Sequence, residues 1–394
     1  MSFDPEAATA AYIDSLGTDA LAKAAAYTVG NHWLMLWGLL VSAVATWLVV
    51  RSRVLERVSG RLAHRGPALR TFVVALACLA LLTLLTFPWE IYQGWWRELG
   101  YDRTSQPFGD YLGQALIATL ISVPLVALFF VGVYALMRRA GKRWWIWSGG
   151  LTAVALAALL LVAPVLIEPI FNDFEPVPAG EVRDALLVMA EQAGVPADRI
   201  FVYDGSRQSN NFTANVSGLG GSARIAISDV AFKGASLDEV RAVTGHEIGH
   251  YVLGHVWRSV AVLSVLAMLL FFLADRLYPR FARAFGSSAA LADPVGLPVV
   301  LFVVSVFGLL AQPMVNTLSR LHETAADRYS LETVDLPDAL ASALVKTAEY
   351  RDPRPHPVQE AFFYKHPSVE RRVRAAMEWK AAHGTTGEPA VPRS

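Results

Sequence analysis

One stretch of the chain reads Thr244-Gly245-His246-Glu247-Ile248-Gly249-His250. On a helix, this four-residue spacing places His246 and His250 on one face, about one turn apart, so both ring nitrogens can reach one zinc ion. Glu247 projects beside them and can take the proton of a water that the metal has made acidic. Ahead of this stretch, Ser236 and Glu239 fit a capping box, which predicts where the helix begins.

A third zinc ligand has to come from elsewhere in the chain. His255 is the nearest histidine, but on a continuous helix it lies about 140° around from His250, so we interpret it as structural. Glu323 and Asp327 are better candidates, because they lie one turn apart among alanines on a predicted helix. Glu323 would complete a His2Glu set with a fourth position open, and Asp327 could hold the free N–H of a ligating histidine. The alternative is an ordinary charged helix face with an Arg320–Glu323 pair.

The composition indicates a membrane protein. Of the 394 residues, 54% are hydrophobic and only 17% are charged, and the formal net charge of zero suggests no nucleic-acid partner. Cys78 is the single cysteine, which excludes an intrachain disulfide and a cysteine-based zinc site. The N-terminus lacks the basic region and short apolar core of a cleaved signal peptide.

Six uncharged runs are candidates for spans, which need about 20 mostly apolar residues. They are Trp33–Val50, Thr71–Trp89, Tyr111–Met137, Trp144–Ile167, Ser259–Ala274 and Pro294–Ser319. The fifth run is short, but Val256 and Trp257 can lengthen it; the alternative is a buried helix of a soluble domain. Most tryptophans lie near the ends of these runs, as in the aromatic belts of membrane proteins.

These patterns divide the chain into six segments. We expect an N-terminal amphipathic region (1–32), four transmembrane helices (33–167), a soluble insert with the zinc-binding helix (168–256), a transmembrane hairpin (257–319), C-terminal helices with the third ligand (320–382) and a disordered tail (383–394). Within the insert, a helix is predicted over Glu181–Ala193. Strands are predicted over Ile200–Tyr203, Phe212–Ser217 and Ala223–Ile227, the last two joined across 218–221.

Three motifs in this order resemble those of the integral-membrane zinc metalloproteases of the type I CAAX prenyl protease family. They are HEIGH at 246–250, SRLHETAAD at 319–327 and YKHPSVERR at 364–372. The segments Phe3–Trp37 and Ser206–Asp229 are also similar to bacterial members. The resemblance implies a mainly α, polytopic membrane protein with a zincin-like protease domain that carries a small sheet. It also implies one zinc ion per chain and helices that enclose a chamber around it.

The resemblance extends to residues of the C-terminal motif. It implies that His366 stabilises the oxyanion of the tetrahedral intermediate, as a preorganised donor does. Arg372 could anchor a carboxylate of the site, either Glu323 or Asp327. The alternatives are a surface histidine at a helix N-terminus and an ordinary basic helix face.

In the family, the segment that matches Ser206–Gly218 forms an edge strand above the zinc, to which a peptide can add by main-chain hydrogen bonds. This chain departs from the eukaryotic pattern, since Thr213-Ala214-Asn215 stands where those relatives have Asn-Ala-Tyr. The carbonyl-polarising role of that Asn could fall to Asn210, Asn211 or Asn215. Asparagines that only serve turns are the alternative.

The most direct hypothesis is a membrane metalloendopeptidase that acts on a peptide or protein substrate, either prenylated or membrane-associated. Two other functions stay open: a quality-control protease of the heat-shock type, and a non-enzymatic scaffold or transporter. Only six of the 34 basic residues are lysine, which hints at a high-GC bacterial genome and a bacterial cell membrane.

Arginine-rich loops bear on the orientation of the site. They lie at residues 51–70, 138–143 and 276–283. With six spans these loops share one side, and the positive-inside rule makes that side cytoplasmic. The zinc site would then face outward, whereas the eukaryotic relatives, with seven spans, place it on the cytosolic side.

Overall fold

The computed structural model describes residues 3–196, 199–218, 223–348 and 351–384. In chain order the helices are α1 Pro5–Asp14, α2 Thr18–Ser52, α3 Val54–Arg61, α4 Pro67–Ile91, α5 Arg97–Gly100, α6 Phe108–Ala140, α7 Trp144–Val162, α8 Glu168–Phe171, α9 Glu181–Ala193, α10 Asp229–Gly234, α11 Leu237–Val252, α12 His255–Phe285, α13 Leu297–Val334, α14 Pro337–Lys346, α15 Pro357–Phe363 and α16 Val369–His383. The strands are β1 Phe174–Pro176, β2 Ile200–Tyr203, β3 Ala214–Ser217 and β4 Arg224–Ser228.

Long apolar helices form the membrane part of the molecule. Among the described residues, five continuous helical stretches are long and apolar enough to cross a membrane: Thr18–Ser52, Pro67–Gly100, Phe108–Phe171, His255–Phe285 and Pro294–Val334. The third contains both α6 and α7, which separate at Gly141 (φ 51°) and pack against each other. Each of the six predicted apolar runs therefore lies in a separate helical segment, because the third stretch holds two of them. The predicted fold class, a mainly α polytopic membrane protein with a small sheet, is confirmed.

Three of the predicted segment boundaries fall inside helices. The boundary at 32/33 lies within α2, the one at 256/257 within α12, and the one at 319/320 within α13. The reason is physical: hydropathy changes along these helices, but no residue at the boundary interrupts the backbone hydrogen bonds. Of the predicted tail, His383 ends α16 and Gly384 caps it, while residues 385–394 lie outside the described part of the chain.

The N-terminal helix α1 packs against α14 and α16 of the C-terminal segment. Tyr12 and Ile13 are fully buried there, and the Tyr12 hydroxyl lies 3.2 Å from Oδ1 of Asp338. Arg354 donates from Nη1 to Asp14 Oδ1 at 2.8 Å. Helix α1 thus completes a hydrophobic core that it shares with α14 and α16.

The arginine-rich loops meet at one end of the helix bundle. Arg70, in the first turn of α4, pairs with Asp293 (Nη2 to Oδ2, 3.2 Å), which joins the start of α4 to the segment before α13. Trp144, at the start of α7, donates from Nε1 to Asp275 of α12 at 2.9 Å. At the other end, the segment that follows α7 forms an ion pair with Arg224 of the sheet. The basic loops and the sheet therefore lie at opposite ends of the bundle.

The sheet has the strand order β1-β2-β4-β3, with β2 and β4 parallel and the other pairs antiparallel. Strand β1 was not predicted, because it has three residues and ends in proline. Strands β2 to β4 match the predictions to within two residues, although 219–222 of the connecting turn lie outside the described residues.

Strand β3 lies at the edge of the sheet. The Ser228 N–H donates to the Thr213 carbonyl, so Thr213 and then Asn215 form the hydrogen-bonded pairs with β4. The alternating ladder leaves the backbone groups of Ala214 and Val216 directed at the open edge. This edge can accept an added strand.

Helices α11 and α13 cross closely because glycines face the contact. A Cβ atom on Gly245 would lie 2.6 Å from Cγ2 of Val334, and one on Gly249 would lie 3.1 Å from Cα of Ala326. Both distances are shorter than ordinary carbon contacts, so a larger residue at either position would push the helices apart. The pattern G-H-E-x-G-H therefore combines two ligands with the space to bring a third ligand close.

Candidate active site

The predicted capping box at the start of α11 is confirmed. The Ser236 hydroxyl accepts from the Glu239 N–H at 3.2 Å, and the Glu239 carboxylate accepts from the Ser236 N–H at 2.7 Å. Glu239 also accepts hydrogen bonds from Ser342 and Lys346 of α14, each at 2.7 Å. The helix that carries the histidines is therefore fixed to α14 at its first turn.

Three side chains from α11 and α13 converge on one point. His246 Nε2 and His250 Nε2 lie 3.1 Å apart. Glu323 places Oε2 3.4 Å from His246 Nε2 and Oε1 3.4 Å from His250 Nε2. Among the described residues, His246, His250 and Glu323 form the group of donors that could hold a metal ion.

The residues fit a metal ion chemically as well as geometrically. Glu323 is buried, and its Oε2 has no hydrogen-bond partner among the described residues. A buried carboxylate oxygen in that state is costly unless a cation compensates it. The three carboxylates of Glu247, Glu323 and Asp327 outnumber the two arginines at the site, Arg372 and Arg351, so negative charge remains when the histidines are neutral. This balance suits a divalent cation.

The second ring nitrogen of His246 is held by Asp327, whose Oδ1 lies 2.9 Å from Nδ1. Arg372 grips the same carboxylate at both oxygens, at 2.6 and 2.7 Å, and lies farther from Glu323, at 3.5 Å. Burial alone would lower the pKa of His246, but the neighbouring carboxylates of Asp327 and Glu323 outweigh it and raise the pKa to about 10. The carboxylates thus attract positive charge to the place where the histidine donors meet.

Glu247 and His366 face the cavity beside these donors. The cavity has a volume of about 430 Å³. Burial raises the pKa of Glu247, which makes its carboxylate a stronger base. His366 Nδ1 lies 2.8 Å from Glu323 Oε2 without hydrogen-bond geometry, and burial lowers the pKa of this imidazole. A general base and a neutral N–H donor are therefore both available at the site.

The edge strand β3 and the segment before it border the cavity, but the three candidate asparagines of this region lie in different places. Thr213 and Ala214 line the cavity, as does Asn211, whose buried Oδ1 has no hydrogen-bond partner among the described residues. Asn215 belongs to β3 and does not belong to the cavity lining. Asn210 is also absent from the lining, because its amide donates to the Asp102 carbonyl and to Ser105 Oγ, both at 3.0 Å.

Asn210 therefore connects the segment before β3 to the loop that follows α5 in the membrane part. Thr104 of that loop donates to the Gln208 carbonyl at 2.7 Å, and the Asn210 N–H donates to the Arg103 carbonyl at 2.9 Å. This contact spans about a hundred residues of sequence, so no local pattern could have predicted it. Of these two neighbouring asparagines, only Asn211 lines the cavity.

Sequence reasoning also missed one wall of the cavity, formed by α14. Leu340, Ala343, Leu344 and Thr347 line it, together with Val243 of α11. The helical spacing of these apolar residues was visible in the sequence. The sequence did not show that Ser342 and Lys346 of the same helix donate hydrogen bonds to Glu239 of the capping box. These bonds bring the apolar face of α14 to the site.

Comparisons with known proteins agree with this geometry. Residues 176–380 match the model of Peptidase family M48, and residues 5–173 match the model described as CAAX prenyl protease N-terminal, five membrane helices. In the solved structures, S. mikatae Ste24p has the same fold, with a TM-score of 0.73 at 19% identity over 95% of both chains.

Relatives of known sequence cover most of the chain. Uncharacterized metalloprotease YhfN of Bacillus subtilis is 28% identical over 87% of this chain and 80% of its own. CAAX prenyl protease 1 of Saccharomyces cerevisiae is 27% identical over 86% of this chain and 77% of its own. The converging donors, the membrane helices and these matches lead to one conclusion: the chain belongs to Peptidase family M48 and is an integral-membrane metalloprotease.

Proposed function

We propose that the chain is a zinc-dependent endopeptidase with one zinc ion held by His246, His250 and Glu323. One observation carries this proposal: the two histidine Nε2 atoms lie 3.1 Å apart, and each lies 3.4 Å from one oxygen of the Glu323 carboxylate, His246 from Oε2 and His250 from Oε1. Donors about 2.0–2.1 Å from a tetrahedral zinc ion lie about 3.3 Å from one another. Two imidazoles and one carboxylate are also the donor set of catalytic zinc sites, which keep a fourth position open.

The side chains around the metal have separate tasks in peptide hydrolysis. When bound, zinc supplies a Lewis acid that allows water to ionise near neutral pH. Glu247 takes the proton of the attacking water and later gives it to the leaving amine. His366 donates a hydrogen bond to the oxygen of the tetrahedral intermediate, where negative charge develops. Asp327 and Arg372 keep the His246 ring in the tautomer and orientation that ligation requires.

The substrate backbone is held along β3. The open edge at Ala214 and Val216 offers main-chain hydrogen bonds to a peptide in extended conformation. Asn211, whose amide oxygen has no hydrogen-bond partner among the described residues, and Thr213 line the same cavity as Glu247. Main-chain hydrogen bonds orient a peptide whatever its side chains are. The preference for particular substrate side chains therefore has to come from the apolar wall on α14.

The substrate is a peptide or protein that is membrane-associated, and we propose a prenylated one. The proposal rests on the relatives, whose names identify them as CAAX prenyl proteases. Cleavage of a misfolded membrane protein, with none of a prenylated peptide, would instead assign this chain to membrane quality control.

We further propose that the site faces away from the cytoplasm in a bacterial cell membrane. The arginine-rich loops lie together at the end of the bundle opposite the sheet. Short basic loops remain on the cytoplasmic side of a membrane. The metal site, next to the sheet, then lies on the other side.

Glu247→Gln should abolish cleavage and keep zinc. The amide can still bind the water but cannot take its proton, so we expect a loss of about 10³-fold in rate, the size of one general-base contribution. Metal analysis and single-turnover cleavage of a defined peptide on the same preparation test this. Substantial remaining activity would mean that Glu247 is not the base.

Glu323→Ala should lose zinc on dialysis, because two histidines alone bind zinc poorly. Glu332→Ala is the matched control: it makes the same substitution on the same helix, at an exposed carboxylate that pairs with Arg328 and lies outside the cluster. Zinc stoichiometry of both variants is the measurement. Zinc retained in Glu323→Ala, as in Glu332→Ala, would contradict the ligand assignment.

His366→Ala should lower kcat about 10²–10³-fold, the effect of removing one oxyanion donor, with little change in KM or zinc content. Lys365→Ala, at the exposed neighbouring position, is the control and should behave as the wild type. A His366→Ala protein that has lost its zinc would show that His366 supports Glu323 instead.

The orientation can be tested with single cysteines in intact cells. His64 and Arg207 are exposed at opposite ends of the molecule, and the native Cys78 is fully buried, so it gives little background. An impermeant thiol reagent should label Arg207→Cys but not His64→Cys. The reverse labelling pattern would place the metal site on the cytoplasmic side.

A further inference from the structure

The second ring nitrogen of His250 has an unexpected partner. His250 Nδ1 lies 2.9 Å from His255 Nδ1. If Nε2 of His250 binds the metal, the proton of His250 is on Nδ1, and the His250 Nδ1–H donates to the lone pair of His255 Nδ1. In that arrangement His255 carries its own proton on Nε2. The His255 Nε2 atom is buried and has no hydrogen-bond partner among the described residues. The hydrogen bond of this ring is therefore made at Nδ1, with His250.

A break in the helix brings His255 to this place. Helix α11 ends at Val252 and α12 begins at His255. Between them, Gly254 adopts a left-handed conformation, with φ 65°, which residues with a Cβ rarely adopt. On an uninterrupted helix, His255 would lie about 140° around from His250. The glycine turn instead folds His255 back against the ring of His250.

The ring of His255 is also fixed from its other face. His255 is only 3% exposed, and it stacks on His322 with ring centroids 4.2 Å apart and planes 7° apart. His322 directly precedes the ligand Glu323 in α13. One stacked pair therefore adjoins two of the three proposed metal donors, His250 and Glu323.

We propose that His255 is a positioning residue that fixes the tautomer and the orientation of His250 for metal binding. The inference rests on the proposed zinc site. Ligating histidines need such a partner at the second nitrogen, and its loss weakens metal binding about 10–100-fold. The two histidines are supported differently: His246 by the charged pair Asp327–Arg372, and His250 by a neutral imidazole. His255 holds His250 without adding a further negative charge to the cluster.

Substitutions at position 255 can separate the hydrogen bond from packing. His255→Asn and His255→Leu have nearly the same shape, but only the amide offers an acceptor oxygen near the place of Nδ1. His255→Phe keeps the ring that stacks on His322 and removes the acceptor. Trp257→Phe, at an exposed position in the same turn, is the control. The measurements are the zinc dissociation constant by chelator competition and the visible spectrum of the cobalt-loaded protein.

We expect zinc to bind about 10–100-fold more weakly to His255→Leu and His255→Phe. His255→Asn should approach the wild type in affinity and in cobalt spectrum. Equal affinity for His255→Asn and His255→Leu would overturn the proposal, since packing would then account for the whole effect. Thermal unfolding of the metal-free variants identifies any that fails to fold. A wild-type protein that binds no zinc would instead refute the proposed function.

Discussion

The close crossing of α11 and α13 is the constraint on which the site depends. The metal donors come from two helices, and the imidazole and carboxylate side chains are short, so the helix axes must approach closely. Gly245 and Gly249 make this possible, since a Cβ at Gly249 would lie only 3.1 Å from the backbone of Ala326. The Ser330 hydroxyl donates to the Ala242 carbonyl at 2.7 Å across the same contact and fixes its register. The four-residue spacing within α11 brings together the two histidines of the proposed metal site. The close packing of α13 against α11 adds the carboxylate of Glu323.

The crossing also concentrates buried charge, which the fold has to balance. Asp327 and Arg372 form a bidentate pair that is almost completely buried. Removing one partner of such a pair costs about 3–5 kcal/mol, because the other charge stays buried and unpaired. In the described part of the chain Glu323 has no such bidentate partner, since Arg372 is mainly engaged with Asp327. The carboxylate that is left with an unsatisfied oxygen is the one that faces the two histidine donors, so the charge balance and the geometry point to the same cation position.

What the sequence could predict depends on how local the cause is. The capping box, the paired imidazoles and the apolar runs arise within one helix, and spacing alone reveals them. The position of Asn210 outside the cavity lining could not be predicted, because its hydrogen bonds go to a loop about a hundred residues earlier in the chain. The contact between His255 and His250 was not predicted either, because helical geometry was extended through Gly254, where the backbone turns. Both positions are set where a distant contact or a left-handed glycine overrides the local period.

The membrane part and the catalytic part are one structure. Helix α13 begins beside the arginine-rich loops, runs through the bundle and carries Glu323 eleven residues before its end at Val334, so Glu323 belongs to a helix that is long and apolar enough to span the membrane. The loop after α5 holds Asn210 just before the edge strand, and α1 packs beneath α16. Both the donor set and the strand that would hold a peptide are therefore positioned by the bundle. A catalytic segment separated at residue 168 would lose Asp102 and Ser105, the partners of Asn210, as well as the core residues Tyr12 and Ile13. The site is therefore built by the whole chain, and the membrane helices are part of the catalytic scaffold.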